Sequence, residues 1–307
     1  MGADQVTILL ALHQGARHIL DQLDSFAVQD HPDWRLTVSD DISTDRGPEL
    51  VRDWAARHPD RHIDLIGGPG RGFAANFLHL LAHADGPLVA LSDQDDVWLP
   101  DKLTRAVAAL RALPDGQPAL YCARTVICDQ TLRPLAQSPR WHRGFSFANA
   151  LVQNVAAGNT IVLNAAALDL ARRAVPAASG IVAHDWWLYQ IVTGAGGRVI
   201  RDDRPVLFYR QHAANRMGRN DTLRGAAGRL SRLMGGEFRD WTDRHCAALL
   251  AAADLLTPQN RARLDAFMAA RRATGLRRLA RLREAGIYRQ TAAATTALWL
   301  AAALGRF

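Results

Sequence analysis

The chain has 307 residues, 49% of them hydrophobic and 22% charged, which excludes a disordered protein and leaves room for one large α/β domain with an appendage. Three cysteines, Cys122, Cys128 and Cys246, with no C-x-x-C pair, argue against a zinc framework or a disulfide scaffold and point to a reducing compartment. The net charge of +7 is uneven, for 17 Arg face 7 acids from Arg216 onward; with no aromatic-interleaved recognition motif, that tail suits an anionic membrane surface better than nucleic acid.

Met1-Gly2-Ala3-Asp4-Gln5 lacks the basic start of a secretory signal, so a cytoplasmic location is expected, peripheral at the inner face of the membrane if the tail binds there. Val6 to Leu12 is a β-rich apolar run fit for a central parallel strand, and His13-Gln14-Gly15 is its turn. Ile19, Leu20, Leu23, Phe26 and Ala27 stand at helical spacing between Arg17 and Gln29, and Asp30-His31-Pro32-Asp33 stops that helix. Trp34 to Ser39 gives a second strand ending in Asp40-Asp41. Pro48 then opens a helix through Leu50, Val51 and Trp54 that His58-Pro59 closes.

Ile63 to Ile66 reads as a third strand, and a glycine cluster from Gly67 to Gly72 precedes a helix from Ala74 to Ala84. The cluster has neither the lysine of a Walker A loop nor a clean G-x-G-x-x-G, so it reads as a loop lining a diphosphate before it reads as a dinucleotide site. Leu88 to Leu91 is a fourth strand, and Pro100 begins a helix through Leu103, Val107 and Leu110. Strands and helices thus alternate to Leu113, a doubly wound α/β pattern.

Beyond Pro114 the rhythm changes. Ala119 to Cys122 and Asn159 to Leu163 read as strands, separated by an irregular aromatic and basic stretch from Arg133 to Phe147 of the kind that faces a substrate. A helix near Ala165 to Ala174 follows, then Gly180 to Trp187 leading into another, and Arg198 to Ile200 and Val206 to Arg210 as closing strands. From about Arg219 the composition turns to Ala, Leu and Arg, with Pro258 dividing two helical halves. The last uncharged run, Thr291 to Leu304, has 14 residues, short of the ~20 that span a membrane. Beside Arg277, Arg278, Arg281 and Arg283 it suits an interfacial anchor, or a helix packed on its own protein or a partner.

Chemistry is expected at Asp93-Gln94-Asp95-Asp96, where the fourth strand ends in three acids out of four residues. Ligands bind outside the carboxyl ends of strands in open α/β sheets, and closely spaced carboxylates repel unless a hard cation or a set of donors holds them. Val97 and Trp98 stand where an EF-hand needs an oxygen ligand and a glycine, which excludes that motif. An acid-rich loop ahead of a helix also suits the positive end of the helix dipole, so capping is the competing explanation.

Several stretches in order resemble the inverting family 2 glycosyltransferases, and within them the rhamnosyltransferase-like bacterial members: Val6 to Leu12 with Gly15, Ser39-Asp40-Asp41-x-Ser43-Thr44-Asp45, Gly72-Phe73-x-x-Asn76-Phe77, Ser92 to Lys102, His184-Asp185-Trp186-Trp187, and Tyr209-Arg210-Gln211-His212-x-x-Asn215. The resemblance implies a GT-A fold, Rossmann-like with a mostly parallel central sheet, over residues 1–218. Residues 1–113 would be its nucleotide-sugar half, 114–218 its acceptor and catalytic half, and 219–307 a basic helical region. It implies that Asp41, with Asp40 beside it, binds a uracil or thymine base; that Gly72, Asn76, Asp93 and Trp186 lie at the donor; and that Asp93, Asp95 and His212 hold Mg²⁺ or Mn²⁺. Asp185 would be the catalytic base, with Trp186 and Trp187 as a sugar platform. The donor would be a UDP- or dTDP-sugar, and the acceptor a cell-surface glycan or a lipid-linked acceptor. Two departures stand out: Ile42 replaces the glycine usual after the double Asp, where a β-branched residue disfavours positive φ, and His13-Gln14 replaces Tyr-Asn. A degenerate scaffold or binding module and a sugar-phosphate nucleotidyltransferase are the alternatives, the second weakened by the poor phosphate loop after the first strand.

Overall fold

The computed structural model describes Gly2, residues 4–211 and residues 236–307. Strand β1 (Val6–Leu12) is buried except at Ala11 and pairs in parallel with β2 (Trp34–Asp40) on one side and β4 (Leu88–Ser92) on the other, while β2 pairs in parallel with β3 (Ile63–Gly67). The crossovers are helices α1 (Ile19–Ala27), α2 (Gly47–Arg57) and α3 (Phe73–His83). Because Leu12 registers with Asp40, and Asp40 with Gly67, these strands end together, and their loops share one edge of the sheet with the loop after Ser92.

Past β4, antiparallel pairs enter the sheet. A two-residue β5 (Val97–Trp98) and α4 (Lys102–Arg111) are followed by β6 (Ala119–Cys128), β7 (Pro134–Gln137), α5 (Phe147–Ala150), β8 (Val162–Asn164), α6 (Ala165–Ala174), α7 (His184–Gly194) and β9 (Arg198–Arg210). The strand order is β3-β2-β1-β4-β8-β6-β9-β5, with β7 paired to β6. The two closing strands expected from sequence are one strand, β9, bulged against β6 around Asp203 and Arg204, where Asp202 accepts the N–H of Arg204 at 2.9 Å. The strand expected over Asn159 to Leu163 begins later, because Gly158–Thr160 forms a 3₁₀ turn at the site.

Alternation along β1 sends Ile8, Leu10 and Leu12 to one core with α1, α2 and α4, and Leu9 to the other with α3, α6 and α7. The second core runs on into the C-terminal helices α8 (Glu237–Ala251), α9 (Pro258–Arg272), α10 (Gly275–Glu284) and α11 (Ala292–Ala303), through Phe238, Leu249, Phe267, Leu298 and Phe307. The C-terminal helices therefore share a core with α3, α6 and α7. Pro258 sits in the first turn of α9, where its missing N–H costs nothing, so it opens a helix as well as separating two. No helix among the described residues is long and apolar enough to cross a membrane.

Candidate active site

The loops at the strand ends are tied to one another. Gln94, between the two acids, accepts the N–H of His13 through Oε1 at 2.7 Å and donates from Nε2 to the His13 carbonyl at 2.8 Å. His13 Nδ1 lies 2.9 Å from the Asp41 carbonyl, and the Asp45 carboxylate accepts Ala16 N–H at 2.7 Å and Gly47 N–H at 2.9 Å. A Cβ on Gly15 would come within 2.6 Å of both Gln94 Oε1 and Leu12 Cδ1, so a larger residue would displace the Gln94 side chain from this clamp.

The second strand and the glycine loop form one unit. Asp41, 5% exposed, accepts Gly70 N–H at 2.6 Å and Gly72 N–H at 2.8 Å, one on each oxygen. Each oxygen keeps lone-pair capacity for a further donor. Asp40 turns back to accept Ser43 N–H at 3.1 Å. Asn76 is buried behind them, accepting from Ser39 Oγ at 2.5 Å and donating to the Ser39 carbonyl at 2.9 Å, so it fixes α3 to β2. Ile42 adopts φ +63° and keeps the turn usual for glycine, with 65% of its surface exposed.

Four carboxylates gather at the end of β4. Burial and the neighbouring Asp95 and Asp185 raise Asp93 to about 7, and burial with Asp95 and Asp93 raises Asp96 well above the ordinary carboxylate range. Asp96 accepts Asn159 Nδ2 at 2.6 Å and Arg210 N–H at 3.3 Å. The chain's one lysine, Lys102, is fully buried beside them, donating to the Asn159 carbonyl at 2.7 Å with its ammonium 3.0 Å from the centre of the Trp98 ring. Arg210 joins Asp21 at 2.7 Å and the Asp95 carbonyl at 2.9 Å, anchoring β9 to the loop. Lys102 and Arg210 lay inside matching motifs, but nothing in their spacing marked them as supports of the acid loop.

Asp185 faces Asp93 from the first turn of α7. Burial raises it to about 6 against the N–H groups of Trp186 at 2.7 Å and Gly158 at 3.2 Å and the Asn154 side chain, which favour its charged form. It thus takes a first-turn N–H of helix α7, whose N-cap is Ala183, and stands among the acids as well. Asn154 and Gly158 went unnoticed in the sequence because they lie outside any motif.

The expected aromatic platform is not where the sequence put it. Trp186 is 5% exposed, donates Nε1–H to the Ala150 carbonyl at 2.7 Å and packs on Phe238 and His245; Trp187 is fully buried. Both rings are core, and Trp186 is covered there by the C-terminal helix α8 through Phe238 and His245. His212 lies outside the described residues.

Among the described residues no three His, Cys, Asp or Glu side chains converge as a metal shell. Asp93 and Asp95, hard oxygen donors whose mutual repulsion raises Asp93, fit Mg²⁺ or Mn²⁺, which bind through one or two carboxylates and take substrate phosphates and water as further ligands.

A family model described as Glycosyl transferase family 2 matches residues 7–166. An uncharacterized protein of Mycobacterium tuberculosis is 27% identical over 215 residues, 68% of this chain; the match spans 59% of that relative's length. The dTDP-rhamnosyl transferase RfbG of Shigella flexneri is 25% identical over 234 residues, 72% of this chain and 78% of that protein. Among solved structures, TarS residues 1–349 of S. aureus in complex with UDP-GlcNAc has 15% identity and a TM-score of 0.52, covering 98% of this chain and 90% of that one. The mannosyltransferase PcManGT of Pyrobaculum calidifontis, in complex with GDP-Man and Mn²⁺, has 22% identity and a TM-score of 0.50, covering 98% and 86%. The fold is therefore that of GT-A glycosyltransferases, and the chain belongs to glycosyl transferase family 2.

Proposed function

We propose that this family 2 glycosyltransferase moves a single sugar from a UDP- or dTDP-sugar to a hydroxyl of a cell-surface glycan or lipid-linked acceptor on the cytoplasmic side, with inversion at the anomeric carbon. The observation that carries the reading is Asp185, buried in the first turn of α7, close enough to Asp93 for their charges to interact and raised by burial to about 6. At neutral pH a carboxylate of that kind is ionised and still basic enough to accept a proton. Asp185 takes the proton of the acceptor hydroxyl as that oxygen attacks the anomeric carbon. The bond from that carbon to the diphosphate oxygen breaks on the opposite face, and the nucleoside diphosphate leaves.

Asp41 receives the ring N–H of the base on lone pairs not used by Gly70 and Gly72. Asp93 and Asp95 hold the divalent cation, which supplies charge neutralisation at the departing diphosphate. Lys102, Asn159 and Arg210 hold the acid loop in place. The likeness to a dTDP-rhamnosyl transferase favours dTDP-rhamnose among the donors. Acceptor choice falls to the segment from Arg133 to Phe147, which the loop between α10 and α11 braces: Arg143 donates to the Arg289 carbonyl at 3.0 Å, and Tyr288 Oη to the Gly144 carbonyl at 2.6 Å. The helices over residues 271–307 are also the surface offered to an anionic membrane.

The test is the unfolding midpoint with UDP, dTDP, GDP and CDP, each with and without Mn²⁺, since a ligand bound only to the folded state raises it. A Mn²⁺-dependent rise with dTDP or UDP is expected. No rise with any nucleotide would favour a degenerate scaffold.

A further inference from the structure

His184 precedes the proposed base and is 4% exposed, yet among the described residues neither of its ring nitrogens has a hydrogen-bond partner. Its ring stacks on Phe77, with centroids 3.8 Å apart, and meets Phe73 edge-on at 5.9 Å. On another side it abuts Gly158, where a Cβ would lie 2.8 Å from Nε2 and 3.4 Å from the Asp185 Cβ. Burial holds the ring neutral, lowering it to about 3, so one nitrogen donates and the other accepts at any working pH. A buried polar group without a partner costs about 1–3 kcal/mol, and in folded proteins such a group marks strain, a functional role, or a partner bound from outside the chain. Phe73, 36% exposed, follows Gly72 directly, so it stands where the glycine loop meets His184 and Asp185.

We propose that His184 and Phe73 form the subsite for the transferred sugar: the neutral imidazole pairs with a sugar hydroxyl, and the phenyl ring of Phe73 lies against the sugar's apolar C–H face. A hydroxyl both donates and accepts, which matches a neutral imidazole, and adds no charge beside the acid cluster. This takes over the platform role that buried Trp186 and Trp187 do not fill, and selects for sugars pairing a hydroxyl with an apolar face. It rests on the glycosyltransferase reading.

The experiment measures dissociation constants for dTDP-rhamnose, UDP-GlcNAc and GDP-mannose, and for dTDP, UDP and GDP, in the wild type and in His184→Phe, His184→Leu and His184→Gln, with Mn²⁺. In either apolar variant the affinity for the sugar nucleotide that binds the wild type is expected to fall about tenfold, roughly one hydrogen bond. The matching diphosphate should bind unchanged, the ligand-free unfolding midpoint should hold or rise, and His184→Gln, which keeps a donor and an acceptor, should recover most of the loss. An equal loss for sugar nucleotide and diphosphate, or none for either, overturns the subsite while leaving the transferase reading intact. Failure of both apolar variants to fold overturns it too, because the ring nitrogens would then already be satisfied in the free protein. A wild type that binds no nucleotide sinks the transferase reading itself, and the subsite with it.

Discussion

Gln94 and His13 exchange two hydrogen bonds, at 2.7 and 2.8 Å, so the middle residue of Asp93-Gln94-Asp95 is a clamp between the first and fourth strand loops and not a spacer. Gln94→Ala removes both bonds at a partly solvated position, so it should cost about 1 kcal/mol in stability and raise the donor KM several-fold with a smaller change in kcat. Urea unfolding and steady-state kinetics check this; an unchanged KM would show that the clamp does not position the acids.

Lys102 is the buried cation among Asp93 and Asp96, and burial opposes its charge while those carboxylates favour it. Lys102→Met leaves the acids unpaired and should cost about 3–5 kcal/mol of stability. Lys102→Arg should also destabilise, since a larger planar group must fit against Trp98 where the ammonium now lies 3.0 Å from the ring centre. Equilibrium denaturation of the two variants decides.

The acid cluster makes ligand-free stability depend on pH in a stated direction. Asp93 at about 7 and Asp185 at about 6 hold protons in the folded state that an unfolded carboxyl releases near pH ~4. Between these values the folded state binds more protons, so stability from these groups is greatest at about pH 4 and is lost as pH rises to about 7. Asp93→Asn should flatten that fall and unfold at a higher temperature than the wild type at pH 7.5. Adding Mn²⁺ should raise the wild-type midpoint there and leave the variant's nearly unmoved. A steeper fall in Asp93→Asn would contradict the assignment.

Ile42 holds φ +63° with an exposed side chain, a conformation that costs a β-branched residue about 1–2 kcal/mol. Glycine relieves that cost and gives part of it back through the freedom of its unfolded chain. Ile42→Gly should therefore stabilise the protein by about 0.5–1 kcal/mol, read by chemical denaturation. A destabilised variant would mean that packing of Ile42 over Gly70 outweighs the strain.

Periodicity made the first half of the fold legible: apolar runs from Val6 to Leu91 alternate with amphipathic helices, and each became the element expected within a residue or two. The second half was less so, because its elements depend on partners distant in sequence. Strand β7, Pro134–Gln137, is mostly exposed and carries no alternation, and β9 bends at Asp203 and Arg204 on side-chain bonds that periodicity does not encode. At the candidate site, residue type and order singled out Asp41, Asp93, Asp95 and Asp185, and the fold places the first three at strand ends and Asp185 within charge range of Asp93. The same cues misplaced Trp186, whose burial comes from Phe238 and His245 more than 50 residues away, and passed over His184, whose interest lies in what it lacks.

The central claim is that Asp185 is the base of sugar transfer. The most direct measurement is product formation by Asp185→Asn alongside its donor affinity and the wild-type pH profile. The amide keeps the shape of the carboxylate but does not accept the proton, so transfer should fall at least ~10²-fold while the sugar nucleotide still binds. The wild-type kcat/KM should rise with pH through about 6 to about 7, where Asp185 and then Asp93 ionise, and level off above that. Transfer by Asp185→Asn at the wild-type rate would contradict the account.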